Sequence, residues 1–196
     1  MNLPNLLTLS RVPMMFLIVV FMYCEWLGAA SLAFWLFIWG AVSDGLDGYL
    51  ARKRGIVSNF GKLMDALTDK IMVVGLTIAL VDKGEISVPL ALIVMCREFF
   101  ITGMRAVAAA KGVVVAADRG GKTKTVTQLI ALGFLLAEPM VARDWAYFLP
   151  WDLSILCEIV RWIGIWGFIA GTFFAVWSGW RYFRQYQHLV LEDIDR

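Results

Sequence analysis

The chain has 196 residues, 60% of them apolar and only 17% charged, with a formal net charge of +2. Its mean hydropathy of +0.72 is far above that of a soluble domain, whose apolar share is about 45–50%. The composition argues against a water-soluble globule and gives no basic surface for nucleic acid. It reads as an all-α integral membrane protein whose sites are built from helices and short connections, because unsatisfied irregular backbone does not face lipid.

In chain order, Pro4 followed by Asn5, Thr8 and Arg11 at every third position, with leucines between, predicts a short amphipathic interfacial helix over 1–12. Six apolar runs follow, about 13–27, 30–54, 58–81, 86–110, 122–142 and 155–183. Each is near the ~20 residues that cross a bilayer as helix. Residues 184–196 form a polar tail, and all of this makes one membrane domain. Arg11, the apolar 14–22 stretch and Gly28-Ala29-Ala30 give the outline of a cleavable signal, but the patterned residues before the apolar core favour a retained segment.

Lysine and arginine alternate between connections. Arg11, then Arg52, Lys53 and Arg54, then Lys111, Arg119, Lys122 and Lys124, then Arg181 and Arg184 stand on one side, against Lys83 and Arg143 on the other. By the positive-inside rule both termini are cytoplasmic. Trp26, Trp145 and Trp151 would mark the outer interface, and Trp180 with Tyr182 the inner one. Cys24, Cys96 and Cys157 have no CxxC or histidine partner and read as buried inert thiols; His188, the sole histidine, lies in the tail. Neither zinc nor haem is expected.

The stretch SDGLDGYLARKRGIVSNFGKLMDALTDK, residues 43–70, carries the chemistry. Carboxylates inside a membrane cost about 2.5–3.5 kcal/mol each at a helix centre on insertion scales, yet four occur here. Asp44 and Asp47 are three apart, Asp65 and Asp69 four apart, so each pair shares one helical face. Gly55 and the capping residues Ser58 or Asn59 predict a tight turn that sets the two pairs at one depth, just below the cytoplasmic headgroups. Four converging carboxylates need protons or hard cations, and Mg²⁺ or Mn²⁺ suits oxygen donors. Two such ions serve displacement at phosphorus. Gly45, Gly48 and Gly61 allow a bulky ligand near the backbone, and Arg52 offers a bidentate phosphate contact. A cation or proton transporter built on the same acids is the rival reading.

The pattern Asp44-Gly45-x-Asp47-Gly48-x-x-Ala51-Arg52, then Gly61, Asp65 and Asp69, resembles the signature of the CDP-alcohol phosphotransferase family. The resemblance implies a six-helix, usually homodimeric membrane enzyme that moves a substituted phosphoryl group from a CDP-linked donor to an alcohol and releases CMP. It implies that Asp44, Asp47, Asp65 and Asp69 ligate two divalent ions, with Asp69 also the catalytic base, and that Gly48, Arg52 and Gly61 line the CDP pocket. Ala66 stands where many members have proline, and alanine favours a straight helix there.

The acceptor is sought elsewhere. Arg97 and Arg105 lie eight apart in CREFFITGMRAVAAAKG, and Lys122 and Lys124 in DRGGKTKTVTQ. These four exceed what Glu98 can neutralise, which points to an acceptor that itself carries a phosphate. A nucleotide P-loop is rejected, because Ala116 occupies its first glycine position and no strand precedes it. Arg97-Glu98-Phe99, Arg105, residues 121–125 and the opening Pro4 to Arg11, with Asn5, Thr8 and Arg11 on the CDP side, are similar to the bacterial phosphatidylglycerophosphate synthase branch. That branch acts in phospholipid biosynthesis at the bacterial inner membrane, joining CDP-diacylglycerol to sn-glycerol 3-phosphate. Inositol phosphate, serine or phosphatidylglycerol would be the acceptor in other branches.

Overall fold

In the computed structural model the backbone is described for residues 3–54, 59–112 and 119–191, and the side chains for 10–43, 68, 70–112 and 123–187. Every element among the described residues is helical. The six apolar runs correspond to six long helices: α1 (Leu3–Tyr23), α2 (Ala29–Arg54), α3 (Asn59–Asp82), α4 (Val88–Ala110), α5 (Arg119–Pro139) and α7 (Ser154–Leu191). Two stretches, Thr123–Phe148 and Ser154–Gln187, are both long and apolar enough to cross a membrane. The architecture is that expected of a membrane protein.

Local chemistry sets the ends. α3 stops at a Schellman turn: Gly84 takes φ +75°, its N–H donates to the Val81 carbonyl, and the Glu85 N–H reaches back to Leu80. Pro89 sits in the first turn of α4, where a missing N–H costs nothing. Gly112, at φ +74°, ends it. Asp152 accepts the Ser154 N–H at 2.9 Å as α7 begins. That bond, with one from the Ser154 side chain, holds the exposed Asp152 carboxyl below its ordinary range.

Three features differ from the sequence reading. The stretches read as an interfacial helix and a first span are carried by one helix, α1, with Pro13 inside it. The fifth run does not end near 142. Beyond Pro139 the chain widens into a π-helical turn, Met140–Trp145, and a short α6, Ala146–Phe148. Proline has no N–H to give and crowds the preceding turn, so the backbone re-pairs at wider spacing. The Asp144 carboxylate, 4% exposed, is thereby aimed at the start of α2. It accepts the N–H of Gly28 at 2.9 Å and both the N–H and hydroxyl of Ser31 at 2.7 and 2.6 Å. Finally, Cys96 is exposed, whereas Cys24 and Cys157 are half-buried; all three are free thiols.

The helices close a ring: α1 packs against α2 and α3, α2 against α5, α5 against α7, α7 against α4, and α4 against α3. Ile18, Phe37, Leu76, Leu132 and Phe168, each at most 1% exposed, meet at its centre. The tightest seam joins α5 and α7. A Cβ on Gly164 would stand 2.7 Å from Leu135 Cγ, one on Gly167 3.2 Å from Ala131 Cβ, and one on Gly171 2.8 Å from Gln128 Cγ. Small residues at this spacing let two helices approach closely, the usual device where apolar burial alone cannot drive association. Outward faces are aromatic: Trp162, Trp166, Phe173 and Trp177 of α7 are all exposed.

Gly164→Leu should therefore force the seam apart and cost at least about 1–3 kcal/mol of overpacking, read as a lower Tm in detergent. Gly103→Leu, with nothing within 4 Å of its Cβ position, should be neutral or stabilising.

Candidate functional site

The side chains of Asp44, Asp47, Gly48, Arg52, Gly61, Asp65 and Asp69, and those of Asn5, Thr8 and Lys122, lie outside the described residues; their positions on the helices do not. On α2, buried Ala33, Phe37 and Gly40 form a stripe with steps of four and three, and positions 44 and 47 continue it. On α3, positions 65 and 69 lie seven before buried Met72 and Leu76, on the same stripe.

The two helices are brought into register at Gly40. A Cβ there would lie 3.3 Å from Met14 Sδ of α1 and 3.4 Å from Met72 Sδ of α3. Counting along antiparallel helices from that contact, position 47 comes level with 65, and 44 with 68, to within a turn. The four aspartate positions thus share one level at one end of the bundle. Arg11, 1% exposed, heads the α1 stripe Arg11, Met15, Ile18, Met22 at that end. Thr68, between the two acids of α3, is also buried.

Beside this end lies a buried ionic cluster joining α4, α5 and α7. Glu98, 8% exposed, accepts Arg97 Nη1 at 2.8 Å and Lys124 Nζ at 2.5 Å on the same oxygen. The rest of the Arg97 fork is satisfied by α7: Nε donates to the Ala175 carbonyl at 3.1 Å and Nη2 to Ser178 Oγ at 2.9 Å. Gly179 lets it come close, since a Cβ there would be 3.3 Å from Arg97 Cγ. Lys70 of α3 donates to Thr102 Oγ1 at 2.5 Å, and Thr102 donates to the Glu98 carbonyl at 2.6 Å. Arg105, two turns past Arg97, is exposed and stands over the Tyr182 ring at 5.6 Å.

Of the four cations read as phosphate ligands, Arg97 and Lys124 thus share Glu98, whereas Arg105 opens to the surface. Tyr182, read as an interface marker, is instead buried at 6% against Ile101 and Met104. Its hydroxyl has no hydrogen-bond partner among the described residues, and neither has either polar atom of Gln128, 1% exposed on α5. Lys70, Gln128 and Ser178 were not singled out from sequence. Gln128 could have been, because it lies one turn from Lys124 on the stripe that continues to Ala131 and Leu135.

Residues 1–176 match the family model of CDP-alcohol phosphatidyltransferases. The chain belongs to that family. A Bacillus subtilis protein named CDP-diacylglycerol–glycerol-3-phosphate 3-phosphatidyltransferase is 36% identical over 93% of both chains. Its namesake from Rickettsia typhi is 33% identical over 93% of this chain and 96% of its own. One from Arabidopsis thaliana is 33% identical over 86% of this chain and 77% of its own. The family is generally dependent on a divalent metal. The donor set fits one: four carboxylate positions at one level, with neither histidine nor cysteine in residues 43–70, make a hard, all-oxygen environment.

Removing the shared carboxylate tests the ionic cluster. Glu98→Gln leaves two buried cations without their counter-ion and should cost about 3–5 kcal/mol, seen as loss of folded protein in detergent. Adding Lys124→Met should recover part of it.

Proposed function

We propose that this protein transfers the phosphatidyl group of CDP-diacylglycerol to sn-glycerol 3-phosphate, giving phosphatidylglycerophosphate and CMP. Similarity along 93% of both chains to a protein named for that reaction carries the reading, and the level register of the four aspartate positions supports it. The six long helices span the inner membrane of a bacterium with both termini in the cytoplasm, and the protein works as a homodimer.

Asp44, Asp47, Asp65 and Asp69 would hold two divalent ions, Mg²⁺ or Mn²⁺, which when bound would supply neutralisation of the donor pyrophosphate and polarisation of its β-phosphorus. Arg11 and Arg52 pair with the donor phosphates, Gly48 and Gly61 leave room for the nucleotide, and Asn5 and Thr8 border it. An almost wholly apolar cleft of about 340 Å³ between α2 and α5, lined by Phe34, Phe37, Ile38, Ala41, Ile130 and Phe134, begins one turn from Asp44 and suits a donor acyl chain.

Asp69 takes the proton of the acceptor hydroxyl. The acceptor oxygen bonds to the β-phosphorus as the bond to CMP breaks, with no covalent enzyme intermediate. Arg105 and Lys122 meet the acceptor phosphate. Arg97 and Lys124, held by Glu98 with Lys70 close by, leave a surplus of positive charge behind it. The relatives' names favour glycerol 3-phosphate over inositol phosphate, serine or phosphatidylglycerol, and an enzyme over a transporter.

Purified protein should release CMP from CDP-diacylglycerol with glycerol 3-phosphate and Mg²⁺, and EDTA should abolish release; release only with another acceptor would discard the acceptor assignment. Asp69→Asn should lower kcat about 10²–10⁴-fold, as loss of a general base does. Arg105→Ala should raise KM for glycerol 3-phosphate about tenfold and leave KM for the donor unchanged.

A further inference from the structure

At the end of the bundle away from the aspartates, the helix ends enclose a cavity of about 180 Å³. Leu80 and Leu135 are among its apolar walls, and Lys83, Glu85, Glu138 and Arg143 also line it. Some charges there are already paired. Arg161 Nε donates to Glu85 at 2.8 Å, and Asp82 accepts the Tyr23 hydroxyl at 2.6 Å.

Glu138 is different. It is half-buried and has neither a hydrogen bond nor a salt bridge among the described residues, although the charges of Arg143 and Arg161 reach it. Its carboxylate is only partly withdrawn from water, so it remains open to a hydrogen-bonding cation from the cavity. On the same rim Lys83 engages only the face of the Tyr23 ring, 4.7 Å from its centroid, and Arg143 is exposed. Both can receive an anion. A balanced rim of this kind favours a dipolar ligand over a bare ion. The volume is below the roughly 300–1,000 Å³ of pockets that enclose whole small molecules, so it suits a headgroup whose remainder stays outside. Apolar walls at a helix-bundle end point to a lipid as the source.

We propose that this cavity binds the headgroup of a primary-amine phospholipid of the phosphoethanolamine type, its ammonium on Glu138 and its phosphate facing Lys83 and Arg143. The inference rests on the membrane embedding proposed above and not on the transfer chemistry, which lies at the other end of the bundle.

Native mass spectrometry of the full chain, titrated with phosphatidylethanolamine, phosphatidylcholine or phosphatidylglycerol, tests it. Phosphatidylethanolamine should bind about tenfold more tightly than the other two, a difference of about 1.4 kcal/mol. Glu138→Gln should abolish that preference without changing CMP release. Arg143→Gln, at an exposed position where folding is not at risk, should weaken phosphatidylethanolamine too. Equal binding of the three lipids, or a preference unchanged in Glu138→Gln, would overturn the proposal. So would equal binding of soluble phosphoethanolamine, or a Glu138-dependent rise in Tm with Ca²⁺ and none with the lipid. Co-flotation of the protein with lipid vesicles tests the embedding separately.

Discussion

One oxygen of Glu98 accepts both Arg97 and Lys124, and the placement of three helices depends on it. A buried ion is tolerated only with its partners in place, so α4, α5 and α7 can dock in one register alone. α7 contributes through Ser178 and the Ala175 carbonyl, which fix the guanidinium plane rather than merely neutralise it. The glycine seam sets the distance, and the ion cluster sets the sliding position. With both fixed, Arg105 emerges two turns later over the Tyr182 ring.

The same arrangement explains how acids and bases coexist at one end of an apolar bundle. Four aspartate positions on α2 and α3 would repel each other without cations, and the cations of α4 and α5 would repel a metal-loaded site without anions. The two sets lie on opposite arcs of the ring, which, in the function proposed above, leaves room for a substrate phosphate between them. In that reading each set meets the opposite charge on the ligand, and neither needs to be neutralised by the other. Glu98 neutralises part of the charge of the basic arc and ties α4 to α5.

Much of this was legible because membrane helices announce themselves: only an all-helical fold satisfies the backbone of such long apolar runs, and all six became long helices. The i, i+3 and i, i+4 spacing of the acids made the shared faces readable as well. Three things were not readable. Proline at 139 signals a disturbance, but sequence alone does not say whether the helix stops or widens, and here the Asp144 bonds to Gly28 and Ser31 favour widening. Tyr182 has the composition of an interface residue, and only its packing on Ile101 and Met104 makes it internal. The sharing of Glu98 between two cations is a tertiary fact. From sequence Glu98 could neutralise only part of the positive charge, and only the structure shows that it does so by tying Arg97 and Lys124 together across helices.

The division between the two ends follows from where the apolar core sits. Ile18, Phe37, Leu76, Leu132 and Phe168 fill the middle of the ring, an apolar layer between the aspartate end and the cavity at Glu138. A lipid-modifying enzyme gains from that plug. In the function proposed above, the reacting phosphorus must meet water-soluble glycerol phosphate at one interface, yet the donor's chains must stay in the bilayer. The cleft between α2 and α5, running from Ala41 toward Phe34, satisfies both demands on the outside of the plug. The apolar layer also lowers the local dielectric around the bundle's interior, which strengthens the pairing of buried Glu98 with its two cations.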